Sequence, residues 1–394
     1  MLKFARLLPA LLCLLFALPP ASAQESGDAG WPVVERCVGE PTTPPEGWTF
    51  EGTILLRGYA GIHGVHAEWE TPRVMAFIPN VPGYDAQNID GILSPNQKWY
   101  AVTHATAFNG GLWVAISIYE IVVYSTITAH EKYVIPWENQ YFGYIRSLRW
   151  KDDNHLLYET SLKDRALPEY HPEETFLINP FIQETENWLG KVDPFPTGSF
   201  FASPDWTRSI YDAKWFKGGW DAEIEWGVYD PNNGDQLASL PLSRKYPSIA
   251  WSPDSSQFAA LLVEFEQNQN IALFDRDGQF TDTVLSIDAN SVVDSGYDHQ
   301  VIQWTADNRY IIFPVGTLSI PRKYELYVAN LTEKKVINTC ISIPTSFSIP
   351  ASSPDGKMLA INGSDDSVTV LDLETWVLYT VAYHDGDIIG WRGD

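Results

Sequence analysis

Basic side chains, cysteine and methionine are all scarce in this chain of 394 residues. Lys and Arg number 26 against 50 Asp and Glu, and there are only 3 Cys and 3 Met. A formal net charge of −24 argues against nucleic-acid binding, since affinity for a phosphate backbone comes largely from Lys and Arg neutralising phosphates. With so few cysteines, no Cys-x-x-Cys and no histidine close to them in sequence, neither a metal nor thiol catalysis is expected. Gly-x-Ser-x-Gly and His-Glu-x-x-His are also missing, which removes the local hydrolase motifs but leaves open a site assembled from distant parts of the chain. Long amphipathic helical patterns are absent.

The one long apolar run lies at the start. Lys3 and Arg6 precede Leu7 to Leu18, and Pro19-Pro20-Ala21-Ser22-Ala23 follows before Gln24. A basic start, an apolar middle and small residues at Ala21 and Ala23 predict an export signal over residues 1–23, cleaved after Ala23. The run is shorter than the roughly 20 residues of a spanning helix and ends in prolines. Cys13 sits inside the run instead of at its end, so lipid anchoring is not expected. Loss of Lys3 and Arg6 leaves 24 basic residues against all 50 acids. The product is expected to be secreted or periplasmic, to lack a transmembrane segment after cleavage, and to be a monomer.

Cys37 and Cys340 outlast that cleavage. In an oxidising compartment the even pair predicts one disulfide, tying an extended N-terminal tail (residues 24–47) to the fifth repeat below; two free thiols are the alternative. Closing so long a loop is worth about 5 kcal/mol at most in the chain-entropy model.

What the chain has in quantity is a repeated turn. Ser94-Pro95-Asn96, Lys151-Asp152-Asp153, Ser203-Pro204-Asp205, Ser252-Pro253-Asp254, Thr305-Ala306-Asp307 and Ser353-Pro354-Asp355-Gly356 begin 48 to 57 residues apart. Pro presets a turn dihedral and Asp or Asn accepts nearby backbone N–H groups, so these residues are turn chemistry. An apolar run follows each, such as Phe258 to Val263, and then a second run and a polar hairpin such as Asp275-Arg276-Asp277-Gly278. Periods of this length read as propellers or solenoids. The C-terminal run Ile388-Ile389-Gly390-Trp391-Arg392 looks like the strand Ile249-Ala250-Trp251-Ser252 that precedes a turn, yet the sequence ends at Asp394. Its partners are expected from Thr53–Leu56, Gly64–Glu68 and Arg73–Ile78, which would close a ring and remove a sheet edge. The expectation is an all-β propeller over residues 48–394 with seven four-stranded blades; six blades are the alternative.

These residues resemble the WD40-like propeller repeats of the TolB-type family, whose signature is a strand ending in Trp-Ser-Pro-Asp-Gly before an apolar strand. Trp251 to Asp254 and Ser353 to Gly356 match it best. Ser203 to Asp205 and Ser94 to Pro95 match in part, while Trp150 to Asp153 and Trp304 to Asp307 keep Trp and Asp without Ser-Pro. The resemblance implies the fold over residues 48–394 and is nearly silent on function. TolB itself carries a further N-terminal α/β domain, and related peptidases a hydrolase domain, neither of which is expected within these residues.

Candidate binding residues come from breaks in the repeat. Trp206, Trp215, Trp220 and Trp226 lie among Lys214, Lys217, Gly218-Gly219, Asp221, Glu223 and Glu225; Trp215, Trp220 and Trp226 are the candidate ligand-binding aromatics, with packing between blades as the alternative. Lys163 to Glu174 reads as a long loop. His63, His66 and Glu68 could hold a metal only if a turn brought the two imidazoles to one side, because residues three apart on a strand face opposite ways. Asp365-Asp366, Asp275 to Gly278 and Asp230 to Asp235 are simpler as hairpins than as calcium loops. Asn330-Leu331-Thr332 and Asn362-Gly363-Ser364 are formal glycosylation sequons. No catalytic residue, metal or cofactor is assigned. The leading expectation is an exported non-catalytic scaffold for a protein or glycan ligand. The alternatives are a propeller hydrolase or lyase with a site in the central funnel, and a TolB-like envelope component.

Overall fold

A computed structural model describes residues 30–58, 61–78, 91–108, 117–129, 131–135, 143–162, 174–187, 200–212, 225–242, 247–263, 269–287, 291–293, 301–317, 322–344, 350–363 and 365–394. Every regular element among them is a strand, and the strands form seven sheets, antiparallel but for one added edge strand, arranged as the blades of a β-propeller. Blade five shows the plan. Its strands Ile249–Trp251, Gln257–Val263, Gln269–Asp275 and Phe280–Ile287 pair in sequence order from the channel outward. Along Gln257–Val263, Phe258 and Ala260 pack towards blade four, whereas Ala259 and Leu261 pack towards blade six. Successive strand side chains point to opposite faces, and both faces of a blade are covered, so the strand reads as a continuous apolar run. One apolar cluster of this kind lies at each blade-to-blade interface around the ring.

Closure occurs in blade one, where C-terminal Asp387–Arg392 pairs with Thr53–Gly58, followed by Gly61–Val65 and Arg73–Phe77. The middle strand begins three residues before the expected Gly64, because Gly58 and Gly61 form a tight hairpin that the histidine-containing sequence obscured. Gly52 makes the entry possible: its φ is +82°, and a Cβ there would lie 2.2 Å from the Arg392 carbonyl oxygen. Trp391 is fully buried, meets Phe50 edge-on at 5.4 Å, and donates its indole N–H to the Glu51 carbonyl at 2.8 Å. The buried Arg392 guanidinium reaches blade two, donating to the Thr126 carbonyl and lying 3.2 Å from the Thr126 and Thr53 hydroxyls.

The repeated turns share one hydrogen-bond scheme. Ser94, Ser203, Ser252, Thr305 and Ser353 donate to Asn96, Asp205, Asp254, Asp307 and Asp355 at 2.6–2.7 Å, and each hydroxyl accepts the backbone N–H five residues on. The residue after each acid or amide, Gln97, Trp206, Ser255, Asn308 or Gly356, has φ between 56° and 74°. Pro95, Pro204, Pro253 and Pro354 occupy the intervening position. Blade three departs from the expected alignment: its first strand, Gly143–Asp152, runs through Lys151 and Asp152, leaving a shorter hairpin. Asp152 caps Asn154 and His155 there, and Asp153 instead accepts the Asn96 N–H of blade two at 2.8 Å. The tryptophan before the turn is a stitch: Trp150, Trp251 and Trp304 donate their indole N–H to Ile92, Phe201 and Ala250 of the preceding blade.

Blade six is irregular. Its inner strand is split into Ser291–Val292 and Gln303–Trp304, both paired with Tyr310–Thr317. Its outer edge carries a fifth strand, Val33–Glu35, parallel to Lys335–Ile343. That strand belongs to the N-terminal tail, which straps three blades: the Trp31 N–H bonds the Val284 carbonyl of blade five, Val33–Glu35 joins blade six, and Thr42 bonds Leu378 and Thr380 of blade seven. Trp31 enters the core between blades five and six, and Trp48 packs against Tyr379 with ring centres 4.6 Å apart and planes tilted by 45°. Cys37 and Cys340 are disulfide-bonded with Cα atoms 4.7 Å apart.

Candidate functional site

The antiparallel order of the blades gives the ring two unlike faces. One carries the repeat turns, whose polar groups are largely satisfied within the turn or by the next blade. Asp205 and Asp254 illustrate this: partial burial pushes their carboxyls up, but hydrogen bonds from Ser203 and Thr207, or from Ser252 and Ser256, outweigh it and hold both below the usual range. The acidic hairpins on this face also find their partners locally. Asp275 caps Asp277 and Gln279, Asp230 caps Asn232, and Arg208 pairs with Asp277 at 2.8 Å.

On the opposite face, strand ends of blades one to four are joined by long stretches of chain: residues 79–91, 109–116, 136–142, 163–173, 188–199 and 213–225. Blades five to seven, apart from 293–302 and 344–350, use shorter links such as 264–268 and 363–366. Blades three and four meet on a small cluster rich in aromatics, Leu157, Leu177, Phe200, Tyr211 and Tyr229. The Tyr211 and Tyr229 rings stack at 3.8 Å and 17°. Gly227 makes room for them, since a Cβ there would come within 2.8 Å of the Tyr229 ring. Tyr229 Oη is buried without a hydrogen-bond partner among the described residues. Its hydroxyl is pushed up to about 12 by burial, then by the Glu225 and Asp212 charges. Asp212 and Glu225 stand where the 213–224 stretch leaves and rejoins the blade, and the Glu225 N–H bonds Asp212 at 2.9 Å.

A second polar group on this face bridges the closure seam. His63 of blade one and His384 of the blade-seven connection pack at 4.4 Å. His384 Nδ1 accepts the Gly386 N–H, whereas His63 Nδ1 is buried with no partner among the described residues. Burial, followed by neighbouring His384, holds the His63 imidazole below its usual range; Asp385 opposes this and Arg57 adds to it.

The expected site residues fall in several places. Trp226 is corrected: at 1 % exposure it packs between blades four and five, because alternation along Trp226–Tyr229 turns it inward. Trp215, Trp220 and most of Lys163 to Glu174 lie outside the described residues. Trp206 sits in a repeat turn against Phe200, at the far end of the blade from the 213–224 stretch. His66 Nδ1 accepts the Glu68 N–H, and His66 lies 3.9 Å from Asp394, so it does not converge with His63. His384 had no local signal, since it lies far along the chain from its partner. Among the described residues, one group of three metal-ligating types converges, Glu35, Cys37 and Cys340, on the outer edge of blade six.

No family model and no curated protein matches the chain. Solved structures similar to it include an oligogalacturonate lyase in complex with manganese (13 % identity, 75 % of this chain and 77 % of that one, TM-score 0.43). TolB from Acinetobacter baumannii is similar at 13 % identity over 87 % of this chain and 82 % of that one, with TM-score 0.43. The propeller domain of the trilobed protease from Pyrococcus furiosus is similar at 13 % identity over 61 % and 71 %, with TM-score 0.40. No chemistry of this chain follows from these likenesses.

Proposed function

We propose that this chain is an exported, non-catalytic propeller that binds a protein or glycan ligand on the face opposite its repeat turns, at blades two to four. The observation that carries this reading is the asymmetry of connections: a strapped half with mostly shorter links supports a half in which most of the long stretches attach, all to one face. Binding residues are found disproportionately on loops held by a rigid scaffold. Within this reading, Trp215 and Trp220 of the 213–224 stretch are the contact aromatics. The chain is strongly acidic, so nucleic acid and anionic lipid are not its ligands. A hydrolase or lyase is the second reading, motivated by His63, His384 and Asp385 on the same face.

A glycan array and a pull-down, each run with the intact protein and with residues 213–224 replaced by a short Gly-Ser hairpin, test the proposal. Saturable binding that the replacement abolishes is expected. Binding untouched by the replacement, or none at all, overturns it, and turnover of a bound saccharide lost in His63→Ala would favour the enzyme.

A further inference from the structure

The disulfide lies beside a carboxylate. The Cys37 Sγ lies 3.3 Å and the Cys340 Sγ 4.0 Å from Glu35 Oε1, and the three ligating atoms lie within 4.8 Å of one another. Backbone contacts place these groups independently of the sulfur–sulfur bond. Val33–Glu35 pairs in register with Val336–Asn338, the Arg36 N–H bonds the Asn338 carbonyl, and the Val38 N–H bonds the Thr339 carbonyl. Cys340 is held at φ +56° with its N–H on Asn338 Oδ1 at 2.9 Å, and the Asn338 amide is itself tied to Glu325. Flanking anchors act on both sides: Trp31 is in the core, and the Arg36 guanidinium lies 5.0 Å from the Trp376 ring centre.

We propose that in the reduced chain Cys37, Cys340 and Glu35 form a site for one soft divalent metal ion, zinc or cadmium, which occupies the place of the disulfide. Two thiolates and a carboxylate suit such an ion, with water completing the tetrahedron. Each thiol releases its proton to solvent as it ligates, so binding weakens as pH falls. A newly exported chain holds both thiols before an oxidant removes two electrons and two protons to form the S–S bond. A dithiol reductant acting on the mature protein regenerates them by thiol–disulfide exchange. Metal and disulfide exclude each other, because each needs the same two sulfurs.

The test uses the full chain with Cys13→Ser, so that the remaining thiol does not contribute, reduced with a phosphine and titrated with cadmium. One ion per chain is expected, with a sulfur-to-cadmium charge-transfer band that is absent from the oxidised protein. Cys37→Ser and Cys340→Ser should each remove the band. Glu35→Gln, which leaves both thiols titratable, should weaken affinity by at least about 10-fold, the loss that even an outer-shell partner's removal causes. Absence of the band in reduced protein, or Glu35→Gln binding as tightly as the parent, overturns the proposal.

Discussion

Ser252 shows why a hydroxyl recurs at the head of each repeat turn. It is fully buried, donates to Asp254 at 2.7 Å and accepts the Gln257 N–H at 3.1 Å, so its removal leaves a carboxylate contact and a backbone donor unmet. Ser252→Ala is expected to lower unfolding free energy by about 1–3 kcal/mol in urea titrations. Ser256→Ala should be milder, because Ser256 is exposed and water can replace its bond to Asp254. Thr at position 252 should be tolerated, as Thr305 makes the same bonds. His63 gives a pH prediction. Its folded-state value lies below the unfolded one, so between the two the unfolded chain binds more protons and stability rises with pH. That contribution is fully present above the unfolded value near 6.5 and is lost as pH falls towards the lowered folded one. Denaturation midpoints measured from pH 5 to 7.5 should show this slope reduced in His63→Asn; an unchanged slope would remove His63 as its source.

At the scale of elements, the repeat turns and the following apolar runs were legible because turn chemistry and a continuous run of buried apolar residues are both local. The strap was not. Val33–Glu35 is exposed at every position and bonds through its backbone to a strand some three hundred residues away, so no hydrophobic pattern announces it. Four tryptophans between 206 and 226 suggested a platform for the same reason in reverse: composition records how many there are, while strand alternation decides that Trp226 points inward. The strap makes its own prediction. Reducing the disulfide in metal-free buffer should destabilise the protein by up to about 5 kcal/mol, the chain-entropy ceiling for so long a loop. Thermal scans with and without a phosphine reductant read this, and Trp31→Ala should cost a further amount of about 3–5 kcal/mol by emptying its core position.

For the whole molecule, the ring depends on a strand contributed by the far end of the chain. Blade count and closure were readable because Trp391 copies the phrase that opens other blades and the N-terminal apolar runs offer its partners. The site was less legible, since the sequence marks where the repeat is interrupted without saying what the interruptions face. Deleting Asp387–Asp394 removes Trp391 and Arg392 and leaves Thr53–Gly58 as an open edge. Loss of the parent's elution peak and growth of large species in size-exclusion chromatography with light scattering are expected. A species of parental size and native stability after that deletion would show that the closing strand is dispensable.

Trp31, Glu35, Cys37 and Thr42 are made early in synthesis, yet they dock on Val284, Asn338, Cys340 and Leu378, which are made late. During N-to-C emergence the strap therefore has nothing to bind until most blades exist. It acts as a clasp that only a nearly finished ring can fasten, and an intact Cys37–Cys340 bond reports that assembly has reached its seventh blade or is about to.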